Sequence, residues 1–390
     1  MTPAARYSAG IDILDRIASG EAAEKVLTNW ARRNRYAGSG DRAAIRDIVF
    51  DILRKRRSCA AAGGAETGRA LVLGSLRQSD QLPDDIFTGL GYAPQVLTQE
   101  ERAFSSPPSE WSRAVRLDYP QWLEGELATS LGENLDSTAQ LLRQRAKVFV
   151  RVNARKTTVG KVIDALAHEQ ITAVPHALAT YALEITENAR RIKTSETYQS
   201  GLIELQDVAS QAIVAAMPIP ESGRILDYCA GGGGKSLAIG AITDCDLIAH
   251  DAFRERMIDL PARAKRAGVK IRQIETNQIE RNAPFEMVVC DVPCSGSGAW
   301  RRNPAAKWDL DQGKLNTLLK LQQEIISEAA KHVAPDGSLV YATCSLFAVE
   351  NFMQVDGFLK SNPMFTLQSQ QQFTPLDGGD GLYIACLRRV

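Results

Sequence analysis

The sequence predicts a protein of α/β class: a doubly wound, mostly parallel sheet, preceded by a small α+β subdomain and an all-helical domain. Three patterns carry this expectation. From residue 223 onward short apolar runs alternate with helical stretches, the order that builds a parallel sheet with helices on both faces. Between residues 147 and 218 two helical patterns lie among short alternating segments. Ahead of these, apolar residues recur at three- and four-residue spacings, as on a helix face. The expected division is 1–142 (helical), 143–218 (α+β, RRM-like) and 219–390 (doubly wound sheet).

Composition narrows the possibilities. The chain has 390 residues, 44% hydrophobic and 24% charged, with a formal net charge of zero, as expected of a soluble globular protein of two or three domains. It is not a polycation, so any contact with nucleic acid must come from local basic clusters. MTPAARYSAGIDILDRIASG at the start holds no apolar core suited to a signal peptide. No run approaches the roughly 18 apolar residues of a membrane helix. The seven scattered cysteines then read as reduced thiols of a cytoplasmic protein. With no heptads, a monomer is the default.

In the first domain Ile11, Ile13, Leu14 and Ile17, then Ala22, Val26, Leu27 and Trp30, mark two helix faces. A basic stretch follows, RRNRYAGSGDRAAIRDIVFDILRKRR (32–57), broken at AGSGD, where Asp41 is placed to cap the next helix. DQLPDD and YAPQVLTQEE mark loops and helix entrances. The pattern changes at VFVRVNARK (148–156), a strand, followed by a capped amphipathic helix from TTVGKV and by strands ITAVPHA, YALEIT and GLIELQ. The helix QDVASQAIVAAM closes this unit.

The sheet then reads GRILDYC, a glycine loop and helix, DLIAHD, helix RERMIDLPARAKRAG, VKIRQIE and FEMVVCDVPC. A long helix near 313–333, SLVYATCS, and two final strands around MFTL and LYIACLRRV complete it. Ligands of such sheets bind beyond the carboxyl ends of the strands, and the unusual loops all fall there.

One of these loops, DYCAGGGGKS (227–236), invites comparison with the phosphate loop G-x-x-x-x-G-K-[ST]. With Gly234-Lys235-Ser236 as its end, the opening glycine belongs at 229, and that position is Cys229. A nucleotide-hydrolysing site is therefore disfavoured. A better match is a loop that admits a ligand close to the backbone, with Asp251 about twenty residues further on to hold ribose hydroxyls. S-adenosylmethionine and dinucleotides both satisfy that pattern.

Two other strand ends carry thiols, in CDVPCSGSGAWRRNP (290–304) and YATCSLFAVEN (341–351). If both strands feed one crevice, Cys294 and Cys344 face each other there, with Asp291 beside them. The four histidines, at 168, 176, 250 and 332, and the cysteines lack CxxC or HxxxH spacing, so no metal site is expected. Cys59, Cys245, Cys290 and Cys386 read as packing residues.

DVPCSGSG with RRNP, and YATCS with EN, resemble the signature motifs of RNA cytosine-C5 methyltransferases of the RsmB-like (Sun/Fmu, NOL/NOP/Sun) family. CAGGGGKS resembles that family's CAAPGGKT, and RVNARK resembles the opening of its catalytic region. GLIELQDVASQ and DGLYIACLRR also have counterparts there. The likeness runs from about residue 145 to the C-terminus, and the helical part resembles, more weakly, the NusB-like RNA-binding domain of bacterial members.

The resemblance implies a Rossmann-like class I methyltransferase sheet, S-adenosyl-L-methionine as cofactor, and 5-methylcytosine formation in RNA. Ribosomal RNA is the first expectation and transfer RNA the second; a non-catalytic RNA-binding assembly factor on the same fold is the alternative from another class. It assigns Cys344 as nucleophile toward cytosine C6, Cys294 to product release, and Asp291 to the cytosine ring and the methyl donor. It assigns Cys229, Ala230, Gly231, Gly232, Gly233, Gly234 and Lys235 to the methionine part of the cofactor, Asp251 to its ribose and Asn277 to its adenine. Arg256 matches a basic position after Asp251. Two departures stand out: Gly231-Gly232 replace the family's Ala-Pro, and Asn277 replaces an Asp. Arg301-Arg302, Arg32, Arg33, Arg35 and the KRR of 55–57 are candidate phosphate contacts. Lys307-Trp308 are expected to pack.

Overall fold

Helical periodicity in the first part of the chain is realised as helices Pro3–Ala18, Ala23–Arg33, Ser39–Arg54, Arg56–Gly63 and Gly68–Arg77. A computed structural model describes all 390 residues. The chain divides into two compact units, Met1–Arg145 with Trp300–Asp309, and Ala146–Ala299 with Leu310–Val390.

In the first unit the apolar stripes meet in a core containing Ile13, Leu14, Val26, Ile45, Val49, Leu71 and Leu73. Asp41 does cap its helix, but from inside it, at the third residue. Its carboxylate accepts from the Gly38 N–H at 3.2 Å, and also from Arg6 Nε at 2.9 Å. Helices Arg56–Gly63 and Gly68–Arg77 approach so closely that a Cβ on Gly74 would lie 1.8 Å from the Cys59 carbonyl oxygen.

Trp300–Asp309, although it follows the first cysteine motif in sequence, belongs to this helical unit. Trp308 packs as expected, its Nε1 donating to the Leu53 carbonyl at 2.6 Å. Lys307 Nζ donates to the Arg54 carbonyl at 3.0 Å, and burial pulls its pKa down to about 7 against the attraction of Asp118. Arg301 differs from expectation: it is only 4% exposed, so its guanidinium is not presented to a phosphate, whereas Arg302 is exposed.

The second unit holds two sheets. The smaller comprises β1 (Val148–Val152), β2 (Thr172–Pro175), β3 (Ala182–Glu187) and β4 (Ile203–Leu205) in the order β2-β3-β1-β4, every pair antiparallel. The helix Val159–His168 is capped by Thr158 and buries Val162 and Leu166 against it. The larger sheet comprises β5 (Arg224–Asp227), β6 (Asp246–Ala249), β7 (Arg272–Gln273), β8 (Phe285–Asp291), β9 (Val333–Thr343), β10 (Phe365–Phe373) and β11 (Leu382–Arg389). Their order is β10-β11-β9-β8-β5-β6-β7. Strands β5 to β9 pair in parallel, and β11 runs antiparallel to both β9 and β10.

Residues 285 and 287–290 of β8 are fully buried because helices cover both faces of the sheet. The two sheets are joined through buried polar side chains. Arg151 donates to the Leu237 carbonyl at 3.1 Å, and Asn153 Nδ2 to the Gly201 and Ala267 carbonyls at 3.0 and 2.8 Å. No helix is long and apolar enough to cross a membrane.

The helix expected from residue 254 starts only at Leu260, after a short 3-10 turn Arg254–Met257. Pro261 has no N–H to donate backward, so it fits the first turn of a helix and not its interior.

Gly74→Ala is expected to lower stability by about 1–3 kcal/mol, since the helices must separate to admit a methyl group. A thermal melt of the variant beside the parent checks this; unchanged melting would show that the crossing can yield.

Candidate active site

The strand order reverses between β5 and β8: β6 and β7 continue on one side, β9 and β11 on the other. At such a switch point the loops leaving neighbouring strands diverge and leave a crevice at their carboxyl ends. Four loops therefore meet there, after Asp227, Ala249, Asp291 and Thr343.

The glycine loop follows β5. Ala230 donates its N–H to the His250 carbonyl at 2.8 Å, and Gly233 to the Ala230 carbonyl at 2.8 Å, which folds Cys229–Gly234 back beside β6. Gly231 donates its N–H to Asp251 Oδ2 at 2.9 Å. Gly233 has a φ of +74°, and a Cβ there would lie 2.2 Å from Leu260 Cδ1, so both backbone and space call for glycine. Gly232 is exposed, and its carbonyl accepts from Arg263 Nη1. Cys229 is half-buried with its thiol pKa pushed up by burial, which makes it a lining group and not a nucleophile.

Asp251, just beyond β6, is buried. Its Oδ1 accepts from the Phe253 N–H at 2.9 Å, so one carboxylate holds its own turn and the glycine loop together. Arg256 is exposed, with its Nη1 3.9 Å from Asp251 Oδ2, a loose and screened contact. Asn277 lies exposed in the turn Thr276–Gln278. That turn is tied to the loop after β6 by His250 Nε2, 2.8 Å from Thr276 Oγ1.

Lys235 reaches across from the glycine loop to Asp291 at the end of β8, Nζ to Oδ2 2.5 Å. Burial opposes the lysine's charge, but Asp291 outweighs it, and the ammonium is held above its ordinary pKa. Lys235, expected only among the cofactor residues, is thus also the ion-pair partner of Asp291. Cys344, too, acts on its charge.

The two cysteines come together as expected: Cys294 Sγ lies 3.3 Å from Cys344 Sγ. The contact with Cys344, followed by burial, pushes the Cys294 thiol well up, so it stays protonated at neutral pH. The other five cysteines are also free thiols, with Cys59, Cys290 and Cys386 buried.

Two site residues carried too little signal in the sequence. Asp227 ends β5 and is buried; its Oδ2 accepts from Ser236 Oγ at 2.5 Å, while Oδ1 has no partner. Burial raises its pKa to about 6, with Ser236 opposing. Glu350, which belongs to the EN pair of the second motif, is entirely buried behind the cysteines. A strand-end acid could have flagged the first, but nothing in a lone Glu before Asn signals burial.

Asp227 generates a pH-dependence. Its folded pKa lies above the unfolded value near 4, so between about pH 4 and pH 6 the native state binds more protons than the unfolded state. Its contribution to stability therefore falls as pH rises through that window and stays low above it, by roughly 3 kcal/mol in all. Relative to Asp227→Asn, the parent should lose stability from pH 4 to 6, as read by denaturant titration. A constant difference between the two would remove this account of Asp227.

Comparison with known proteins agrees with this geometry. Residues 214–387 match the family model described as 16S rRNA methyltransferase RsmB/F, and residues 119–191 match the ferredoxin-like domain of RsmF/B-like methyltransferases. The ribosomal RNA small subunit methyltransferase B of Enterobacter sp. (strain 638) is 28% identical over 310 residues, 75% of this chain and 72% of that protein. Its counterpart in Klebsiella pneumoniae subsp. pneumoniae is 29% identical over 308 residues, 75% and 71% of the two chains. The crystal structure of PH0851 superposes with a TM-score of 0.78 at 22% identity, covering 100% of this chain and 99% of that one. NSun6 from Pyrococcus horikoshii gives a TM-score of 0.61 at 17% identity, covering 70% and 98%. These two likenesses bear on the fold alone. The family models and the relatives lead to one conclusion: residues 119–191 and 214–387 are those of an S-adenosylmethionine-dependent methyltransferase of the RsmB/F family.

Proposed function

We propose that this methyltransferase acts on C5 of a cytosine in RNA, ribosomal RNA in the first place, through a covalent bond between Cys344 and cytosine C6. The observation that carries the proposal is the 3.3 Å approach of the Cys294 and Cys344 sulfurs beside the Lys235–Asp291 pair. One thiol suffices for an addition. A second, kept protonated at the same point, can give its proton to the departing Cys344 sulfur when the addition is reversed.

The residues at the switch point suit the cofactor. Asp227 Oδ1, buried and unpartnered, is an acceptor for the ammonium of an amino-acid group. Asp251 keeps lone pairs free for ribose hydroxyls beyond its two backbone donors. Cys229 to Lys235 line the methionine part, with Asn277 and Arg256 at the outer, adenine side. When bound, S-adenosylmethionine supplies an electrophilic methyl group.

Cys344 forms a bond from sulfur to C6, and the C5–C6 π electrons move onto C5, which is otherwise too weak a nucleophile to accept a methyl group. Asp291, fixed by Lys235, hydrogen-bonds the ring near N3 and supports the protonated ring during addition. Once C5 is methylated, a base takes H5 as a proton, the C6–S bond breaks, and its electrons leave with the Cys344 sulfur. Cys294 serves this release. A base stacked in a helix cannot reach these sulfurs, so the target cytosine is unpaired or flipped out.

The surface we assign to RNA is on the helical part, 1–142, proposed as a NusB-like domain. Arg32, Arg33, Arg35 and Arg302 are exposed there and on the Trp300–Asp309 segment. The relatives, named as ribosomal RNA small subunit methyltransferases, support ribosomal RNA as the substrate class.

Cys294→Ala, incubated with cofactor and total RNA from cells lacking the gene, should accumulate a protein–RNA adduct on a denaturing gel. Adding Cys344→Ala should abolish it. If RNA that accepts methyl groups from the parent gives no adduct with Cys294→Ala, the covalent reading is wrong. Separately, Asp251→Ala should weaken cofactor binding tenfold or more by calorimetry, about 1.4 kcal/mol; unchanged binding would remove Asp251 from the cofactor site.

A further inference from the structure

Behind the paired sulfurs lies a closed polar cluster centred on Glu350, which is 0% exposed. Four uncharged donors converge on its carboxylate. Oε1 accepts from the Ser295 N–H at 2.8 Å and from Gln322 Nε2 at 3.0 Å. Oε2 accepts from Ser295 Oγ and from Ser345 Oγ, both at 2.5 Å. Ser295 is the residue after Cys294, and Ser345 is the residue after Cys344. One carboxylate therefore holds the neighbour of each sulfur.

Further bonds close the same cage. Ser297 Oγ lies 3.0 Å from Ser345 Oγ and accepts from the Leu346 N–H at 2.8 Å, and Gly298 donates its N–H to the Cys344 carbonyl at 3.0 Å. Gln322 also donates to the carbonyl of Pro293, just ahead of Cys294, at 3.0 Å. Glu350 is held in turn from behind, where Tyr341 Oη donates to its carbonyl at 2.7 Å. Without an acceptor at the centre, all four buried donors would lose this partner, a cost the loops can reduce only by moving apart.

We propose that Glu350 is a positioning residue: it clamps the two cysteine loops to each other and so sets the approach of Cys294 to Cys344. Glu350 touches neither sulfur; it acts through Ser295 and Ser345. Its negative charge also adds to the forces that keep the Cys294 thiol protonated. The proposal rests on reading the two cysteines as a working pair, but the spacing it explains can be measured without any RNA.

The test is the rate at which dibromobimane, which becomes strongly fluorescent when both its arms alkylate thiols, bridges Cys294 and Cys344 in the full-length protein. Peptide mapping identifies the bridge, and Cys294→Ala sets the zero. Glu350→Gln keeps the shape but replaces an accepting oxygen with an amide that cannot accept. It should bridge at least tenfold more slowly while binding S-adenosylmethionine within twofold of the parent. A Glu350→Gln protein that binds cofactor normally and bridges at the parent rate overturns the proposal. If that variant does not fold, Ser345→Ala decides: it removes one arm of the clamp and should slow bridging severalfold, and a parent rate there overturns the proposal equally. Bridging slowed as expected, with no adduct from Cys294→Ala on any RNA, would sink the covalent mechanism and leave the clamp standing.

Discussion

Strand β8 is the constraint on which the rest of this site depends. It pairs in parallel with β5 on one side and β9 on the other, with Asp227 level with Val289 and Asp291 level with Ala342. Those two registers determine which loops share the crevice. The chain leaves β5 two residues short of the level at which β8 ends, so the glycine loop turns back alongside Asp291. It leaves β9 one residue beyond Ala342, which brings Cys344 to the height of Cys294. Because side-chain direction alternates along a strand, a slip of one residue in either ladder would turn Asp291 or the thiols away from the crevice. The apolar residues Phe285, Met287, Val288, Val289 and Cys290, all fully buried, make such a slip costly.

The charges at the switch point are arranged to be tolerable in that buried setting. A lysine as enclosed as Lys235 persists as an ammonium only with a close counter-charge, and Asp291 supplies it at 2.5 Å. Removing one partner leaves the other charge uncompensated, a loss of about 3–5 kcal/mol for a fully buried pair. Asp291 is itself partly exposed, so the loss here is smaller. The pair therefore does two things at once: it ties the loop after β5 to the end of β8, and it holds a carboxylate in the crevice with a defined orientation. Asp227 lies deeper, and that burial, only partly offset by the Ser236 hydroxyl, is why its proton is held more tightly than that of an ordinary aspartate.

Much of this was legible in the chain. The alternation of apolar runs and helical patterns after Gly223 describes a parallel sheet because each strand there is buried on both faces. The thiols at two strand ends are brought together because β8 and β9 are neighbours. Strand β10 shows where such reasoning stops. From Thr366 to Gln372 it is exposed throughout, so it has no apolar alternation to detect, and only its pairing with β11 defines it. MFTL marks its beginning and nothing marks its length. Arg301 shows the opposite failure. In sequence it reads as an exposed basic residue beside a catalytic motif, yet it lies in a segment that folds with the helical unit and is buried there. Glu350 failed for a related reason, since burial of a carboxylate among hydroxyls depends on the loop after β8 and the helix Gln312–Ala330, both distant from it in sequence.

The two departures from the family's pattern fall where the backbone, and not the side chain, does the holding. At position 231 the contact is an N–H given to Asp251, made from a φ of +50° that glycine adopts most readily. Gly232 contributes a carbonyl to Arg263, again independent of its side chain. Replacing Ala-Pro by Gly-Gly therefore keeps the contacts while adding freedom to the unfolded chain, so the cost falls on the order of the loop and not on its chemistry. Asn277 stands exposed on a turn that is itself anchored by Thr276 and His250. In that position an amide keeps an acceptor oxygen for an amino group and gives up only a charge that solvent would have screened. By contrast, Cys294, Cys344, Asp291, Asp251 and Glu350 are all held through side-chain atoms whose partners lie within 2.5 to 3.3 Å. The two departures thus leave every one of these side-chain contacts in place.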